Sequence, residues 1–559
     1  MRRLAVPSLL LPAALALVLA APGPAPARVE AVAVAPAVAS AAPKPAAGPR
    51  LTVDLRRGEH RISPMVYGLN GADAALAKRL RLPLNRWGGN ATEMYNWRLR
   101  ASNRAADWYF ENLADCWEER FSWCQGTRDV SAVDEQLRQD RANGTASLVT
   151  LPMMGWVAED VSYDGPSSCA YPAPAFDPQD GHDPYHPRCG SGRRGGRWIA
   201  GADPATAGTQ VGPEFAGAWV SALRERYGAG GVRFYGLGNE PALWDETHHP
   251  FHPQPTTYDE LWARSRDLAA AAKTADPAAS VVGPSEWGWP NWFCSAADDV
   301  DRGCFPTSPD RAAHGGVDLS SWLLRQFAAY EQQTGTRLLD VFDLHYYEQG
   351  TYSPATDVTR SLWDPTFTDP SWIGQRIELL PRMRAWVRDN YPGTRLGLSE
   401  YNLGSGTDRR TQVLVQADTL GLFGREGLDL AAFWPLPDSP VPVRAFELFR
   451  DYDGRGSAFG DRGVAATSSD QTRVSVYAAR VGRRGPLTVV VINKARQAVR
   501  SRLALHGVRG ARRVTAYRWA GRDIARVPSS RVRRGAVRLA LPASSVTVLR
   551  IALPRRGRG

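Results

Sequence analysis

Two short segments that lie far apart in the chain decide the fold: Phe234-Tyr235-Gly236-Leu237-Gly238-Asn239-Glu240-Pro241 and Arg395-Leu396-Gly397-Leu398-Ser399-Glu400-Tyr401-Asn402. Each is an apolar, strand-like run that ends in a glutamate followed by a polar or turn-forming residue. A buried parallel strand reads as a continuous apolar run, and in barrels of strands and helices the chemistry lies where the strands end. The segments therefore predict two carboxylates, Glu240 and Glu400, at one rim. The alternative is that one or both glutamates lie at the surface and cap a following helix.

The region from about residue 62 to 445 alternates strand-like and helix-like segments. The candidate strands are Met65-Val66-Tyr67, Leu84-Asn85-Arg86-Trp87, Leu148-Val149-Thr150-Leu151, Val232-Arg233-Phe234-Tyr235, Val281-Val282-Gly283, Val341-Phe342-Asp343-Leu344, Leu396-Gly397-Leu398 and Leu430-Ala431-Ala432-Phe433. Amphipathic helical stretches between them include Glu214 to Tyr227, Tyr258 to Thr274, Leu319 to Gln333 and Ile377 to Asn390. Eight strands alternating with helices predict an α/β fold, a (β/α)8 TIM-like barrel with long loops. An open doubly wound sheet is the alternative, but no glycine-rich dinucleotide fingerprint follows a strand.

After about Gly454 the sequence changes to short β-rich runs separated by turns. These runs are Val474-Ser475-Val476-Tyr477, Leu487-Thr488-Val489-Val490-Val491-Ile492, Val514-Thr515-Ala516-Tyr517 and Ser545-Val546-Thr547-Val548-Leu549. They predict an additional all-β sandwich domain, with Leu51-Thr52-Val53-Asp54-Leu55 as a candidate N-terminal strand. Because no clear linker separates the regions, a structural partner packed on the barrel is preferred over a separate sugar-binding module.

The N-terminus is typical of an exported protein. It has a basic start, an Ala/Leu-rich run interrupted by Pro7 and Pro12, and a small-residue cleavage site at Ala25-Pro26-Ala27. The prolines in this short run argue against a membrane anchor. We therefore predict a signal peptide at 1–27, an Ala/Pro-rich linker at 28–49, the catalytic barrel at 50–453 and the sandwich at 454–559. We expect a secreted, extracellular monomer that does not bind membranes.

The six cysteines form three close pairs in the sequence: Cys116/Cys124, Cys169/Cys189 and Cys294/Cys304. In an exported protein this pattern predicts three local disulfides, each of which pins one surface loop. Zinc binding is the alternative, but it lacks support from a short Cys-x-x-Cys pair.

The formal net charge of +11 comes from arginine, because the chain has only four lysines. Much of the arginine excess lies near the C-terminus, and no basic helix with interleaved aromatic residues is present. This pattern favours a solvated, arginine-rich face and excludes nucleic acid as an expected partner.

The two glutamates suit the hydrolysis of a glycosidic bond. In the eight-strand count Glu240 closes strand four and Glu400 closes strand seven. A retaining glycosidase needs two carboxyl groups about 5 Å apart, one to attack the anomeric carbon and one to protonate the leaving oxygen. We assign Glu240 as acid/base and Glu400 as nucleophile, since the negative charge of Glu400 keeps Glu240 protonated. An inverting mechanism with a wider gap is the alternative.

Several polar residues end neighbouring strands. Asn239 is a candidate to hydrogen-bond the sugar 2-hydroxyl, or else it only bonds the turn. Arg86 ends strand two and either holds Glu400 ionised or forms a salt bridge at the rim. The triplet His345-Tyr346-Tyr347 ends strand six, and we expect one of its tyrosine hydroxyls to orient the nucleophile.

The chain contains 19 tryptophans, and several follow a strand end or lie in the loop after it. These are Trp87, Trp97, Trp156, Trp287, Trp289, Trp292 and Trp434. A row of flat aromatic faces binds a polymer rather than a monosaccharide, although any single tryptophan is more often part of the core. His248-His249 and His252 fit no helical zinc motif. We expect that loop to shape the cleft beside Glu240, and we predict no metal ligand.

Together these stretches resemble glycoside hydrolase family 44. The resemblance spans roughly residues 50 to 550 and is carried by Asn85-Arg86-Trp87-Gly88-Gly89-Asn90, Tyr95-Asn96-Trp97, Asp107-Trp108-Tyr109-Phe110-Glu111-Asn112, Pro152-Met153-Met154-Gly155-Trp156, Asn239-Glu240-Pro241-Ala242-Leu243-Trp244, Asp343-Leu344-His345-Tyr346-Tyr347 and Ser399-Glu400-Tyr401-Asn402. It implies a barrel plus sandwich and retaining endo-hydrolysis of β-1,4-glucans, with xyloglucan, mannan or xylan as variants. It also implies Glu240 as acid/base and Glu400 as nucleophile.

The sequence departs from the family pattern at Glu93-Met94, where relatives carry a Thr-Arg pair, and in the three cysteine-pinned loops. Both departures lie near the predicted cleft and bear on substrate preference more than on mechanism. Family members can carry structural calcium, and the acidic loops here permit it without indicating a site. The resemblance implies no cofactor for catalysis.

These observations predict a secreted retaining endo-β-1,4-glycanase that acts on plant cell-wall β-glucans of the cellulose or xyloglucan type. One alternative is an exo-acting hemicellulase such as an arabinofuranosidase, but an open tryptophan-lined cleft argues against its pocket. The other is a catalytically silent polysaccharide-binding protein. Two buried like charges argue against that alternative, since a pure binder gains little from them.

Overall fold

The computed structural model describes residues 45–115, 131–161, 168–299, 303–508 and 513–553. The predicted signal peptide, most of the predicted linker and the Cys116/Cys124 pair lie outside these residues. The strands are β1 (Ala46–Asp54), β2 (His60–Arg61), β3 (Gly68–Asn70), β4 (Leu84–Trp87), β5 (Tyr95–Asn96), β6 (Ala101–Asn103), β7 (Asn112–Ala114), β8 (Ala146–Leu151), β9 (Trp156–Ala158), β10 (Arg193–Arg194), β11 (Arg197–Trp198), β12 (Gly208–Gln210), β13 (Phe234–Leu237), β14 (Ser280–Glu286), β15 (Val341–Tyr347), β16 (Arg395–Asn402), β17 (Leu430–Phe433), β18 (Arg462–Gly463), β19 (Ala465–Ser468), β20 (Val474–Arg480), β21 (Leu487–Asn493), β22 (Val499–His506), β23 (Arg513–Trp519), β24 (Ala525–Arg531), β25 (Ala536–Leu541) and β26 (Ser545–Ile551).

The α-helices are α1 (Ala74–Leu80), α2 (Asn90–Glu93), α3 (Ala132–Asn143), α4 (Ala173–Phe176), α5 (Pro213–Tyr227), α6 (Trp244–Thr247), α7 (Tyr258–Ala275), α8 (Pro309–Ala313), α9 (Leu319–Thr334), α10 (Leu379–Asn390), α11 (Arg409–Glu426) and α12 (Val443–Arg450). Short 3₁₀ turns lie at Pro64–Tyr67, Ala105–Trp108, Pro204–Thr206, Pro241–Leu243, Trp289–Trp292, Ala296–Asp298 and Ala355–Leu362.

A closed parallel barrel forms the centre of the molecule, in the order β3-β4-β8-β13-β14-β15-β16-β17, and β17 pairs with β3 to close it. The predicted TIM-like barrel is thereby confirmed. Glu240 follows the fourth strand and Glu400 lies on the seventh, as the sequence count required. Apolar side chains from the 3₁₀ turn before β3 and from six of the strands form a cluster of their own within the ring: Met65, Leu84, Leu148, Phe234, Val282, Val341, Leu430 and Ala432. Such layers fill the barrel and leave the carboxyl ends of the strands to carry a site.

The first barrel strand was predicted wrongly. Met65 to Tyr67 belong to a 3₁₀ turn, and the strand begins at Gly68. The hydroxyl of Ser63 accepts the N–H of Met65, and Pro64 occupies the first position of the turn. A serine cap followed by proline favours a helical start over a strand.

The C-terminal region forms the predicted sandwich from a four-stranded sheet, β19-β1-β22-β25, and a seven-stranded sheet, β2-β18-β20-β21-β26-β23-β24. Between them lies an apolar core built largely from valine and leucine, to which β1 contributes Leu51 and Val53. The structure therefore places the early run in the sandwich. β1 begins at Ala46, four residues inside the segment predicted as a linker.

The opposite face of the seven-stranded sheet packs on α11 of the barrel. This helix is buried on nearly all sides, as expected for a helix between two layers. Its Asp418 accepts hydrogen bonds from Lys494 Nζ at 2.9 Å and from Tyr477 Oη at 2.7 Å. The hydroxyl of Thr359 donates to the same carboxylate at 2.7 Å. This buried group, the interface cluster, joins the sandwich to the barrel.

Two of the three predicted disulfides form within the described residues, Cys169–Cys189 and Cys294–Cys304. Each closes a short loop of the barrel domain. No helix in the described ranges is long and apolar enough to cross a bilayer.

Candidate active site

The parallel strands bring Glu240 and Glu400 to the same rim. One carboxylate oxygen of each glutamate and one ring nitrogen of His345 lie within 4.8 Å of one another. Inverting enzymes need a gap of about 6.5–9.5 Å between the two carboxyl groups for a water, and oxygens this close favour the narrower separation of retaining enzymes, about 5–5.5 Å.

The carboxylate of Glu400 lies in a cationic, hydrogen-bonded environment. Arg86 Nη1 donates to its Oε1 at 2.6 Å, and Tyr347 Oη donates to its Oε2 at 2.8 Å. Burial alone would raise the pKa of Glu400, but the charges of His345 and Arg86 and these hydrogen bonds outweigh it and leave the pKa lowered. Glu400 is therefore held as an anion, as a nucleophile requires.

Glu240 lies in a contrasting environment. It follows Asn239 with a φ of 45°, in the left-handed region, and its pKa is raised chiefly by burial. The charge of Glu400 raises the pKa further, against a hydrogen bond and a charge from His345. Two carboxyl groups whose pKa values are moved in opposite directions are the arrangement expected for an acid and a nucleophile.

A chain of hydrogen bonds fixes the proton on His345. Ser399 Oγ donates to Asp343 Oδ2 at 2.5 Å, so this hydroxyl can only accept from His345 Nε2, which lies 3.0 Å away. His345 Nε2 therefore carries a hydrogen, and its Nδ1 faces Glu240 Oε1 at 2.8 Å. Burial would lower the pKa of His345, but the charge of Glu400 and the contact with Glu240 leave it raised. A single proton lies between Glu240 and His345.

Asn239 is engaged on every side. Its Oδ1 accepts from Arg86 Nη2 at 2.8 Å, and its Nδ2 donates to Asn90 Oδ1 at 3.1 Å. Its backbone N–H donates to Glu93 Oε2 at 2.7 Å. Asn239 thus links strands two and four at the rim, and its contact with a sugar hydroxyl stays a prediction.

The strand-six triplet divides by the alternation of side chains along β15. His345 and Tyr347 point to the two glutamates, whereas Tyr346 is buried on the other face, with its ring 6.0 Å from that of Trp292. Tyr347, not Tyr346, is the tyrosine that contacts the carboxylate pair. The sequence did not distinguish the two, although the alternation of strand residues could have done so.

The predicted rim tryptophans fall into two groups. Trp292 is fully buried and is a core residue, so it is removed from the candidate cleft. The others are half-buried: Trp87, Trp97, Trp156, Trp287, Trp289 and Trp434. Several are tied down by neighbours, as when Trp97 Nε1 donates to the carbonyl of Phe215 and Trp287 Nε1 donates to Asn291. The ring of Trp434 lies against Gly89, where a Cβ would come within 2.7 Å of it.

Two rim residues, Trp372 and Glu286, were missed by the sequence analysis, and the contacts of a third, Glu93, were not predicted. Trp372 is 60% exposed, and its Nε1 donates to Gln349, two residues after Tyr347. It lies in the long segment between β15 and α10, where no strand end marked it. Glu286 ends β14 as a buried carboxyl whose pKa is raised to about 8, chiefly by burial. Glu93 lies in the short helix α2.

The histidines that follow Glu240 are bonded to protein groups. His248 is buried, with Nε2 on the carbonyl of Asn90, and burial lowers its pKa to about 4. His252 bonds Glu260, and His249 stacks on Trp198 at 4.4 Å. None of them belongs to a metal-ligand group among the residues that the structure describes.

Calcium, which the resemblance permits, can be tested against one acidic cluster away from the active site: Glu111, Asp183 and His186. Glu111 is buried, its Oε1 faces His186 Nδ1 at 2.7 Å, and burial raises its pKa to about 9. Calcium takes six to eight oxygen ligands. Two carboxyls and an imidazole supply too few oxygen ligands by themselves to indicate a calcium site.

The fold and the site together define a class of protein. An eight-stranded parallel barrel that brings two glutamates of opposite pKa shift to the ends of strands four and seven is the arrangement of barrel glycoside hydrolases. The comparison with known proteins places the chain within that class.

The family model for glycoside hydrolase family 44 matches residues 101–350. Endoglucanase A of Paenibacillus lautus is 30% identical over 483 residues, which cover 79% of this chain and 63% of that protein. CelM2, a bifunctional glucanase-xylanase from a metagenome library, has a crystal structure with a TM-score of 0.84 at 36% identity, covering 91% of this chain and 99% of that one. A family 44 xyloglucanase of Paenibacillus polymyxa, solved with xyloglucan, has a TM-score of 0.75 at 27% identity, covering 90% and 100%.

The chain belongs to glycoside hydrolase family 44. It spans 63% of the length of the Paenibacillus lautus relative, so it corresponds to a part of that longer protein.

Proposed function

We propose that this chain is a retaining endo-β-1,4-glycanase that hydrolyses plant cell-wall β-glucans of the cellulose or xyloglucan type outside the cell. The observation that carries the proposal is the pairing of Glu240 and Glu400 within 4.8 Å, with the pKa of one raised and of the other lowered. The printed names of the relatives, an endoglucanase, a glucanase-xylanase and a xyloglucanase, support the substrate class.

In the proposed first step Glu400 attacks the anomeric carbon and Glu240 protonates the leaving glycosidic oxygen. Arg86 and Tyr347 hold the Glu400 carboxylate in place and ionised until it attacks. Forming the glycosyl ester removes the negative charge of Glu400, which was one cause of the raised pKa of Glu240. Glu240 then acts as base for the water that hydrolyses the ester.

The proposed reaction uses two carboxyls and water, and every rim group named above comes from this one chain. No cofactor or partner subunit enters the mechanism. The exposed Trp372 beside the Tyr347 strand end and the half-buried tryptophans along the rim support an extended polymer rather than a terminal sugar as substrate. The basic, Ala/Leu-rich N-terminal segment supports export.

The test is product release from carboxymethyl-cellulose, xyloglucan, glucomannan and xylan by wild type, Glu400→Ala and Glu240→Gln. We expect wild type to release a ladder of oligosaccharides from at least one polymer, with retention of configuration, and both variants to release none. Release of single sugars only would indicate the exo-acting alternative. Binding without cleavage by wild type would indicate the silent binder.

A further inference from the structure

The turn that carries Glu240 is held in an unfavourable backbone conformation. Gly238 has a φ of 64° and Glu240 a φ of 45°, and Pro241 follows directly. A side chain other than glycine seldom adopts the left-handed region, and it persists there only where neighbouring groups fix it. The orientation of Glu240 therefore depends on what anchors this turn.

The anchor on one side is the buried carboxyl of Glu93. Its Oε2 accepts the backbone N–H of Asn239 at 2.7 Å. Its Oε1 accepts the N–H groups of Met153 and Met154 at 2.5 and 2.6 Å. One side chain thus ties the turn after strand four to the loop after strand three.

Other groups hold the opposite flank of the turn. Glu286 Oε2 accepts the N–H of Ala242 at 3.4 Å, a long hydrogen bond. The N–H of Glu240 donates to the carbonyl of Ser285 at 3.1 Å. Two side chains bond carbonyls of the turn: Thr256 Oγ1 donates to that of Pro241 at 2.7 Å, and Trp244 Nε1 donates to that of Asn239 at 3.0 Å. Glu93 differs from them in accepting a backbone N–H of the turn through a short hydrogen bond.

Glu93 itself is set in a closed environment. It is fully buried, and Arg264 donates to the Met154 carbonyl at 2.6 Å from the far side of the same loop.

We propose that Glu93 is a positioning residue for the proposed acid/base: by holding the Asn239 peptide it sets the direction in which Glu240 meets the leaving oxygen. This inference rests on the proposed function. Three N–H donors converge on Glu93, and all three need an acceptor. In Glu93→Gln one of the two oxygens becomes an NH2 group, which would face a donor with a donor. At least one of these hydrogen bonds is then lost. Either the turn after strand four or the loop that contains Met153 is no longer held by this side chain.

The experiment compares wild type, Glu93→Gln and Asp140→Asn in the full chain. Asp140 on α3 is the matched control: it is a buried carboxyl that accepts from Asn85 Nδ2 at 3.0 Å and Ser147 Oγ at 2.7 Å, away from the turn. We measure kcat and KM on the polymer that wild type cleaves and on an aryl glycoside with a good leaving group. Amide hydrogen exchange is followed on peptides covering 238–243 and 395–402.

We expect Glu93→Gln to lower kcat on the polymer about 10- to 100-fold with KM within about twofold, because a misplaced acid costs that much. The loss should be much smaller on the aryl glycoside, whose departure needs no acid. Exchange should quicken in 238–243 and stay unchanged in 395–402. Asp140→Asn should keep kcat within about twofold, although it unfolds more easily.

An unchanged kcat, an equal loss on both substrates, or unchanged exchange in 238–243 would each overturn the proposal. If wild type cleaves nothing, the proposed function fails. Amide hydrogen exchange then still decides whether Glu93 anchors the turn. Faster exchange in Glu93→Gln that is confined to 238–243 supports the anchoring.

Discussion

Two buried ion pairs in this molecule are built from the same kinds of groups and lie in different places. At the barrel rim Arg86 bonds Glu400 at 2.6 Å, and in the interface cluster Lys494 bonds Asp418 at 2.9 Å. Each carboxylate also accepts a tyrosine hydroxyl, from Tyr347 at 2.8 Å and from Tyr477 at 2.7 Å. All four charged side chains are at most 6% exposed.

The difference lies in the neighbours of each carboxylate. Asp418 has a lowered pKa and takes a further hydroxyl from Thr359, so its acceptors are satisfied by protein donors. Glu400 shares His345 with a second carboxyl, Glu240, whose pKa its charge helps to raise. A buried ion pair alone is thus a structural device. At the barrel rim, the neighbouring carboxyl of Glu240 is what allows the Arg86–Glu400 pair to take part in the proposed reaction.

The largest expected effect is on catalytic activity, and it should distinguish the ion pair at the barrel rim from the one in the interface cluster. Glu400→Gln removes the proposed nucleophile and should lower kcat at least ~10⁴-fold, measured by reducing-sugar release on the best polymer. Asp418→Asn makes the same chemical change in the interface cluster and should leave kcat of the folded protein within about twofold. Residual activity above a few per cent in Glu400→Gln would break the comparison.

The next effect separates the pairs by stability. Asp418→Asn leaves the charge of Lys494 buried and unpaired, which should cost about 3–5 kcal/mol of unfolding free energy in urea titrations. Replacing both partners, as Asp418→Asn with Lys494→Met, should recover much of that loss, since no buried charge then remains. A double variant as unstable as the single one would show that the pair is not the cause.

The stability of the protein should depend on pH through Glu286, the buried carboxyl at the end of β14. Its folded pKa of about 8 lies above the ordinary value of 4.5, so the unfolded chain releases this proton first. Stability is therefore lost as pH rises from about 4.5 to 8, by at most about 3–4 kcal/mol at pH 7. Glu286→Gln should match wild type in melting temperature near pH 4.5 and exceed it at pH 8. A constant difference across that range would contradict this assignment.

The smallest effects come from the two tyrosines. Tyr347→Phe removes one donor to the proposed nucleophile and should lower kcat about 10-fold with little change in melting temperature. Tyr477→Phe removes one donor to Asp418 and should cost about 1–2 kcal/mol of stability with kcat unchanged. If Tyr347→Phe instead lowered stability and Tyr477→Phe lowered kcat, the roles given to the barrel rim and the interface cluster would be reversed.

The sequence predicts the barrel well because buried strands and amphipathic helices have different periods, and the glutamates because they end apolar runs. It fails where local chemistry overrides that signal. Ser63 and Pro64 turn an apolar run into a helical one. Trp292 looks like its rim neighbours in sequence, but it is buried by the packing of its 3₁₀ turn.

Other site features depend on contacts between segments far apart in the chain. Glu93 meets Asn239 across 146 positions, and no local pattern indicates that contact. The exposed Trp372 lies in a segment without regular periodicity. Such residues become visible only once the barrel has closed.

The place of β1 in the sandwich has a consequence for biosynthesis. Arg50 bonds Ser469, which lies 419 positions later in the chain, and β1 pairs with β19 and β22. At about 5–20 residues per second a ribosome takes roughly 20–80 s to supply these partners. An apolar strand made first thus waits until nearly the whole polypeptide exists.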